Sequence, residues 1–372
     1  MKKKYITFSI VTLVLLVALI TSFNYFKTTN TYIDDSVNNQ TKITKGISMN
    51  LEQTAGAGDY KTVTQSGWPT EGYKFNAELS KCEKGSTLSW DDTKKAVIVS
   101  GNLSDKCYVY FDIYQPTLAE YIKSQYTGTQ GDNALYYHNS TLTNGAGDNS
   151  YRYAGASDSV NNYICLGSDE ATCPDANLFR IIGVFGDQTK VIRAKSIGNQ
   201  KWDTNNSNTW SSSSLNTYLN GEYLTSLGTI AEKIATTTWK VGGRSSTYLY
   251  DVPTTAYQYE VGSSASTTTY DAKIGLMYVS DYGFAADQSG WTTKLSSYGS
   301  NSSKNWLYLG SAEWTISRNS RLTGLAFTVT GTGYVNYTSV TLSRGVRQSF
   351  NLESSVKYVS GSGSMSDPVR VN

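Results

Sequence analysis

An uncharged stretch from Tyr5 to Phe26, centred on Val11-Thr-Leu-Val-Leu-Leu-Val-Ala-Leu-Ile20, follows three lysines at positions 2 to 4. At roughly 22 residues, with a helical rise of about 1.5 Å each, it is long enough to span a hydrocarbon core of about 30 Å. Lysines on the short flank orient such a helix with its N-terminus inside and everything after it outside. A cleaved signal peptide wants small residues in an A-x-A-like pattern, whereas Ala18 is followed by Leu19, Ile20 and Thr21. The pattern predicts a cytoplasmic segment at 1–4 and an uncleaved transmembrane signal-anchor at 5–26. A polar stalk follows at 27–42, and the chain is expected to sit at the cell membrane, single-pass, with its C-terminus extracellular.

The rest of the chain must fold in an oxidising space with few charges to work with. Only 17% of the 372 residues are charged, while 32 are glycine and 29 tyrosine. A net charge of +2 gives no clustered basic face, so nucleic acid is not an expected partner. An aromatic content of 13% argues against disorder. Short runs of β-branched and aromatic residues between Gly, Asn, Asp and Ser breaks read as strands. The cysteines are Cys82, Cys107, Cys165 and Cys173. An even count outside the cell reads as two disulfides, and of three connectivities the local one, Cys82 with Cys107 and Cys165 with Cys173, is the simplest. A zinc site would want C-x-x-C spacing or more than the single His138.

From 43 to 115 the chain reads as all β, a small β-sandwich module. Gly46-Ile-Ser-Met-Asn-Leu-Glu52 alternates, Tyr73 and Phe75 repeat the spacing, and Asp91 to Lys95 forms a turn before Ala96-Val-Ile-Val99. Closing the Cys82–Cys107 loop contributes on the order of 3 kcal/mol, which a core this small needs. Pro116 marks a boundary. Thr117 and Glu120 have capping-box spacing, Leu118, Ile122 and Tyr126 share a face, and Gly128 ends the predicted helix. A long polar loop is expected to about Asn162. Leu178 to Phe185 then reads as a central strand, with Lys190 to Ala194 as its hairpin partner. Helices are expected after Ser211–Ser214 and at Ile230–Ile234, and short strands from Trp291 onward. Residues 116–372 are thus an α+β domain.

Three blocks carry a resemblance. They are Leu118-Ala-Glu-Tyr-Ile122 through Leu178-Phe-Arg-Ile-Ile-Gly-Val184; Trp210 through Asn220, with Trp239, Gly242 and Gly243; and Glu313-Trp-Thr-Ile-Ser317 with Ala326-Phe327, Gly345-Val-Arg347 and Asp367-Pro368. They resemble uncharacterised membrane-anchored surface proteins of low-GC Gram-positive bacteria. The C-terminal part of that family is similar to the C-type-lectin and formylglycine-generating-enzyme fold. The segment with Cys82, Trp90 and Cys107-Tyr-Val-Tyr-Phe111 looks like the β-module that often precedes it. The resemblance implies an N-terminal transmembrane helix, then an all-β sandwich module, then an α+β C-type-lectin-like domain, with Trp314 and Arg347 in structural motifs. It does not carry function. The chain departs from the family at Ser317-Arg318 and Val346-Arg347-Gln348, and it has neither the enzyme's C-terminal cysteines nor the Glu-Pro-Asn or Gln-Pro-Asp loop of sugar-binding lectins.

Catalytic signatures are thin. His138 sits in Tyr136-Tyr-His-Asn-Ser140, read as a polar loop, and no nucleophile elbow, H-E-x-x-H or phosphate-binding loop occurs. Ser354 and Lys357 match S-x-x-K without companion motifs. Asp132, Asp148, Asp158, Asp169 and Asp175 lie in loops that could offer oxygen ligands but follow no calcium-binding spacing. No catalytic residue, metal or cofactor is therefore expected. Tyr298, Trp306, Tyr308, Tyr334 and Tyr337 are the candidate ligand contacts, because tyrosine among Ser, Gly and Asn supplies rigid contact area. The expected function is cell-surface recognition or adhesion, with an unidentified extracellular protein, glycan or wall component as partner. An exported glycan or cell-wall hydrolase with a carboxylate site, or a structural surface component, are the alternatives.

Overall fold

The computed structural model describes residues 46–63, 68–69, 72–102, 104–244 and 251–372. The expected cytoplasmic segment, anchor and stalk lie outside them. Among the described residues no helix is long and apolar enough to cross a membrane. The fold is β-rich with a few helices, and divides into two compact units at Gln115/Pro116.

In the first unit β1 (Ile47–Glu52) runs parallel to β7 (Cys107–Ile113) and antiparallel to β2 (Tyr60–Val63). On its other edge β7 takes β3 (Tyr73–Phe75) and β4 (Lys81–Cys82). The Asp91–Lys95 turn closes a separate hairpin of β5 (Thr87–Asp91) with β6 (Ala96–Ser100). Alternation explains the core: Met49, Leu51, Val109 and Phe111 point inward with Val97, and Trp68, Phe75 and Trp90 pack around the Phe111 ring at 5.6–6.0 Å. Cys82 and Cys107 face each other across β4 and β7 and are bonded, as are Cys165 and Cys173 in the second unit.

The second unit opens with α1 (Leu118–Ser124), whose capping box of Thr117 and Glu120 is formed. The helix stops before Tyr126, so the expected end at Gly128 is too late. Among the described residues its largest sheet has nine strands, running β16-β21-β12-β11-β10-β23-β22, with β9 on β11 and β8 on β9. Here β8 is Leu135–His138, β9 Ser150–Tyr153, β10 Tyr163–Cys165, β11 Leu178–Phe185 and β12 Gln188–Arg193; β16 is Gly275–Leu276, β21 Gln348–Leu352, β22 Tyr358–Ser360 and β23 Val369–Val371. The hairpin of β8 and β9 corrects the expectation of a long loop. Its aromatic and β-compatible residues pair once β11 supplies an edge. At that edge Gly183 is required: a Cβ there would lie 2.2 Å from the Tyr151 carbonyl oxygen. Both faces of β11 are buried, and Phe179, Ile181, Val191, Ile192 and Phe350 build the core.

After β13 (Asn199–Lys201), α2 (Ser214–Tyr218) is capped by Ser213 and continues through a π turn into α3 (Leu224–Ser226). The segment expected as a helix near Ile230 is a 3₁₀ run, Gly228–Lys233. β14 (Thr237–Lys240) pairs β15 (Thr269–Ala272), α4 (Pro253–Glu260) follows the former, and α5 (Val279–Phe284) follows β16. Strands were expected from Trp291, but Leu295–Lys304 is a 3₁₀ run, because its Ser, Gly and Asn residues lack a strand's alternation. Strands resume only at β17 (Glu313–Arg318), joined by β18 (Leu325–Val329), β19 (Val335–Ser339) and β20 (Ser343–Gly345).

Candidate functional site

Lys190 lies on β12, which is paired with β21 and β11, and its side chain projects from the face of the sheet. It is 5% exposed, and its Nζ meets the Asp281 carboxylate at 2.5 Å. Asp281 stands in the first turn of α5, where it also accepts the Tyr278 backbone N–H at 2.8 Å. Its other oxygen faces the Arg152 guanidinium at 3.6 Å. Arg152 comes from β9, gives Asp148 a 2.6 Å ion pair and donates to the Ser150 hydroxyl at 2.8 Å. Its guanidinium lies over the rings of Phe185, Phe284 and Tyr257 at 4.6–5.2 Å. The result is a chain of alternating charge, Asp148–Arg152–Asp281–Lys190, bordering a pocket of about 170 Å³.

Trp239, Tyr257 and Tyr278 supply aromatic wall, and Thr237, Thr238 and Asn351 contribute short polar groups. Beneath it a third acid, Glu260, accepts the Val279 and Ser280 N–H groups at 3.2 and 2.8 Å and the Ser317 hydroxyl, with Arg244 at 3.9 Å. Burial raises the Asp148 carboxyl, but Arg152 and the Ser150 donors outweigh it and hold it at about 2. Burial pushes the Lys190 ammonium down against the pull of Asp281. Desolvation raises the phenols of Tyr257 and Tyr278. Chemically the site is ion-paired: Arg152 and Lys190 meet Asp148 and Asp281 at its floor and wall, and Lys240 also lines it.

Sequence reasoning missed this cluster. Asp148 was singled out as a loop acid, but its partner Arg152 was not. The available signal was a lysine and an arginine inside strand-like runs, where a charge must find a partner. His138 is not in a polar loop: it is fully buried on β8, accepts the Ala146 N–H at 3.0 Å, and packs on Phe284 and Trp291. Burial, with Arg152 nearby, keeps it well below the usual imidazole range.

The aromatic contacts expected from the sequence are scattered. Tyr298 and Trp306 need correction as ligand contacts. Both are fully buried, with the Tyr298 hydroxyl on the Gly283 carbonyl at 2.6 Å and the Trp306 indole on that of Tyr153 at 2.8 Å. Tyr308 is half-buried and donates to Gly331, Tyr337 is half-buried against Phe327, and Tyr334 is 38% exposed. Trp314 is buried and donates to Gln200; Arg347 is 1% exposed and grips Glu313 through two 2.8 Å bonds. A tighter aromatic group lies elsewhere: Tyr137 and Tyr151 stack across β8 and β9 at 4.5 Å, with Tyr126 edge-on to both.

A larger, open groove of about 660 Å³ follows the Cys165–Cys173 loop, but its Arg370 is engaged by the Ser168 and Glu170 carbonyls. No group of three or more His, Cys, Asp or Glu among the described residues could hold a metal ion. No protein-family model, curated protein or solved structure matches the chain.

Proposed function

We propose that the chain is an exported surface recognition protein that captures a saccharide unit of a glycan in the pocket beside Lys190. The reading includes an anchor at 5–26, a β-sandwich spacer at 43–115 and a C-type-lectin-like α+β arrangement at 116–372. The two disulfides support an oxidising compartment. The observation that carries the binding role is the ion-paired, aromatic-walled pocket. A sugar ring offers an apolar face to Tyr257 and Trp239 and hydroxyls to the fixed carboxylates and Asn351, without needing a net charge. Hydrolysis needs one carboxyl kept protonated beside an ionised one; here Asp148 and Asp281 are each held by a cation. That arrangement favours binding over turnover.

The test is a glycan-array screen of residues 27–372, followed by titration of a hit against Tyr257→Ala. Loss of this wall is expected to weaken binding by about tenfold, or ~1.4 kcal/mol, without unfolding. Equal affinity in the variant, or release of sugar from the array, would defeat the reading.

A further inference from the structure

Adjacent strands toward the β16 end of the large sheet bring an amine and a carboxamide together. Lys190 and Asn351 are register partners across antiparallel β12 and β21. Directly opposed residues share a face, their Cβ atoms about 5 Å apart. Both side chains line the same pocket. The lysine head is nearly stripped of water and lies over Tyr278, Trp239 and Phe185 at 4.7, 5.5 and 5.8 Å. Its hydrogen-bond acceptor among the described residues is Asp281. The Asn351 amide donates to the Thr237 hydroxyl at 3.1 Å, while its Oδ1 is buried with no partner. A buried amide oxygen left unpaired is costly and calls for a reason. The grouping supplies the parts that amide formation requires: an amine out of water, a carboxamide opposite it on the neighbouring strand in the same pocket, and a carboxylate hydrogen-bonded to the amine.

We propose that Lys190 and Asn351 join in an intramolecular amide bond, with Asp281 as the proton carrier. Asp281 takes a proton from the Lys190 ammonium, and the freed lone pair adds to Asn351 Cγ. The C–Nδ2 bond then breaks and the new Nζ–Cγ bond remains. Lysine gives up two protons in all, both ending on the departing nitrogen, which leaves as ammonium. Asp281 finishes ionised, as it began. Nothing is oxidised or reduced. Burial, which lowers the proton affinity of Lys190 against the attraction of Asp281, works in the same direction. The bond would tie β12 to β21 across the chain between positions 190 and 351, resisting unfolding by pulling. The bond forms without ligand. It removes the Lys190 charge and the Asn351 amino group from the pocket, leaving Arg152 as the cation beside Asp281 and the Asn351 carbonyl oxygen for a sugar hydroxyl. The mass measurement and the glycan titration can therefore fail separately.

The experiment is mass spectrometry of the full chain and of its tryptic digest. The intact protein is expected to be lighter than its sequence by one ammonia beyond the hydrogens lost to its disulfides. Trypsin should fail to cut at Lys190 and yield one branched peptide, Ile181–Arg193 joined to Gln348–Lys357. In Asn351→Ala, which loses one hydrogen bond and keeps the Lys190–Asp281 pair, the branched peptide should vanish and unfolding should occur at lower temperature. Asp281→Asn should leave little or none of it. Linear Ile181–Lys190 and Gln348–Lys357 as the only products from the folded wild-type protein overturn the proposal. An undiminished yield in Asp281→Asn overturns the role given to that acid.

Discussion

Replacing Arg347 by methionine tests whether the buried pair with Glu313 holds the second unit together. Both side chains are about 1% exposed, and the guanidinium is held by two 2.8 Å bonds to the carboxylate and a third to the Leu307 carbonyl. Methionine fills much of the space but leaves Glu313 buried without a counter-charge. Burial already raises the Glu313 carboxyl even with Arg347 present, so the variant's acid will take up a proton. Removing one member of such a pair costs about 3–5 kcal/mol. Against a total stability of roughly 5–15 kcal/mol, that is a large shift in the urea midpoint. Arg347→Met/Glu313→Gln removes both charges and should recover at least about 2 kcal/mol of the loss. The assay is urea unfolding of both singles and the double, followed by tryptophan fluorescence, which samples buried Trp306 and Trp314. A single-variant loss under about 1 kcal/mol, or losses that simply add in the double, would refute the reasoning.

Asp148 titrates below its unfolded value, so its contribution is present in full above about pH 4 and is lost as pH falls toward 2. With a folded value of about 2 it supplies roughly 2 kcal/mol, and Asp148→Asn should flatten the wild-type stability slope between pH 5 and 2 by about that much; parallel slopes would contradict it. Gly183→Ala drives a methyl into the Tyr151 carbonyl, so a loss of about 3 kcal/mol or a failure to fold is expected in thermal unfolding. An unchanged melting temperature would mean that β9 and β11 do not approach as closely as described.

What the sequence made legible was local. The Thr117–Glu120 box, the Asp91–Lys95 turn and the two nearest-neighbour disulfides involve residues within a short span, where spacing alone restricts geometry. The pocket is assembled from β9, β11, β12, β14, β21, α4 and α5, and no period in the sequence connects these elements. Tyr298 and Trp306 misled for a different reason. In a chain poor in charge, rings with one polar atom serve as core residues, each finding a backbone carbonyl. Composition therefore could not separate paratope-like tyrosines from buried ones. Leu135 to His138 was hidden by its polar surroundings, although its alternation sends Tyr137 one way and His138 the other.

That same alternation gives the hairpin of β8 and β9 two kinds of surface. Tyr137 and Tyr151, register partners, stack on one face beside Tyr126, while Arg152 turns to the other and enters the charge chain. Arg152 is fixed three ways, by Asp148, by the Ser150 hydroxyl and by the Phe185, Tyr257 and Phe284 rings, and Asp281 is fixed by Lys190 and the Tyr278 N–H. Side chains held this way lose little rotamer freedom when a ligand arrives, so more of the contact energy appears as affinity. A mobile surface of exposed tyrosines would not share that property. The physical case for recognition therefore rests on the rigid charged pocket rather than on the abundance of tyrosine.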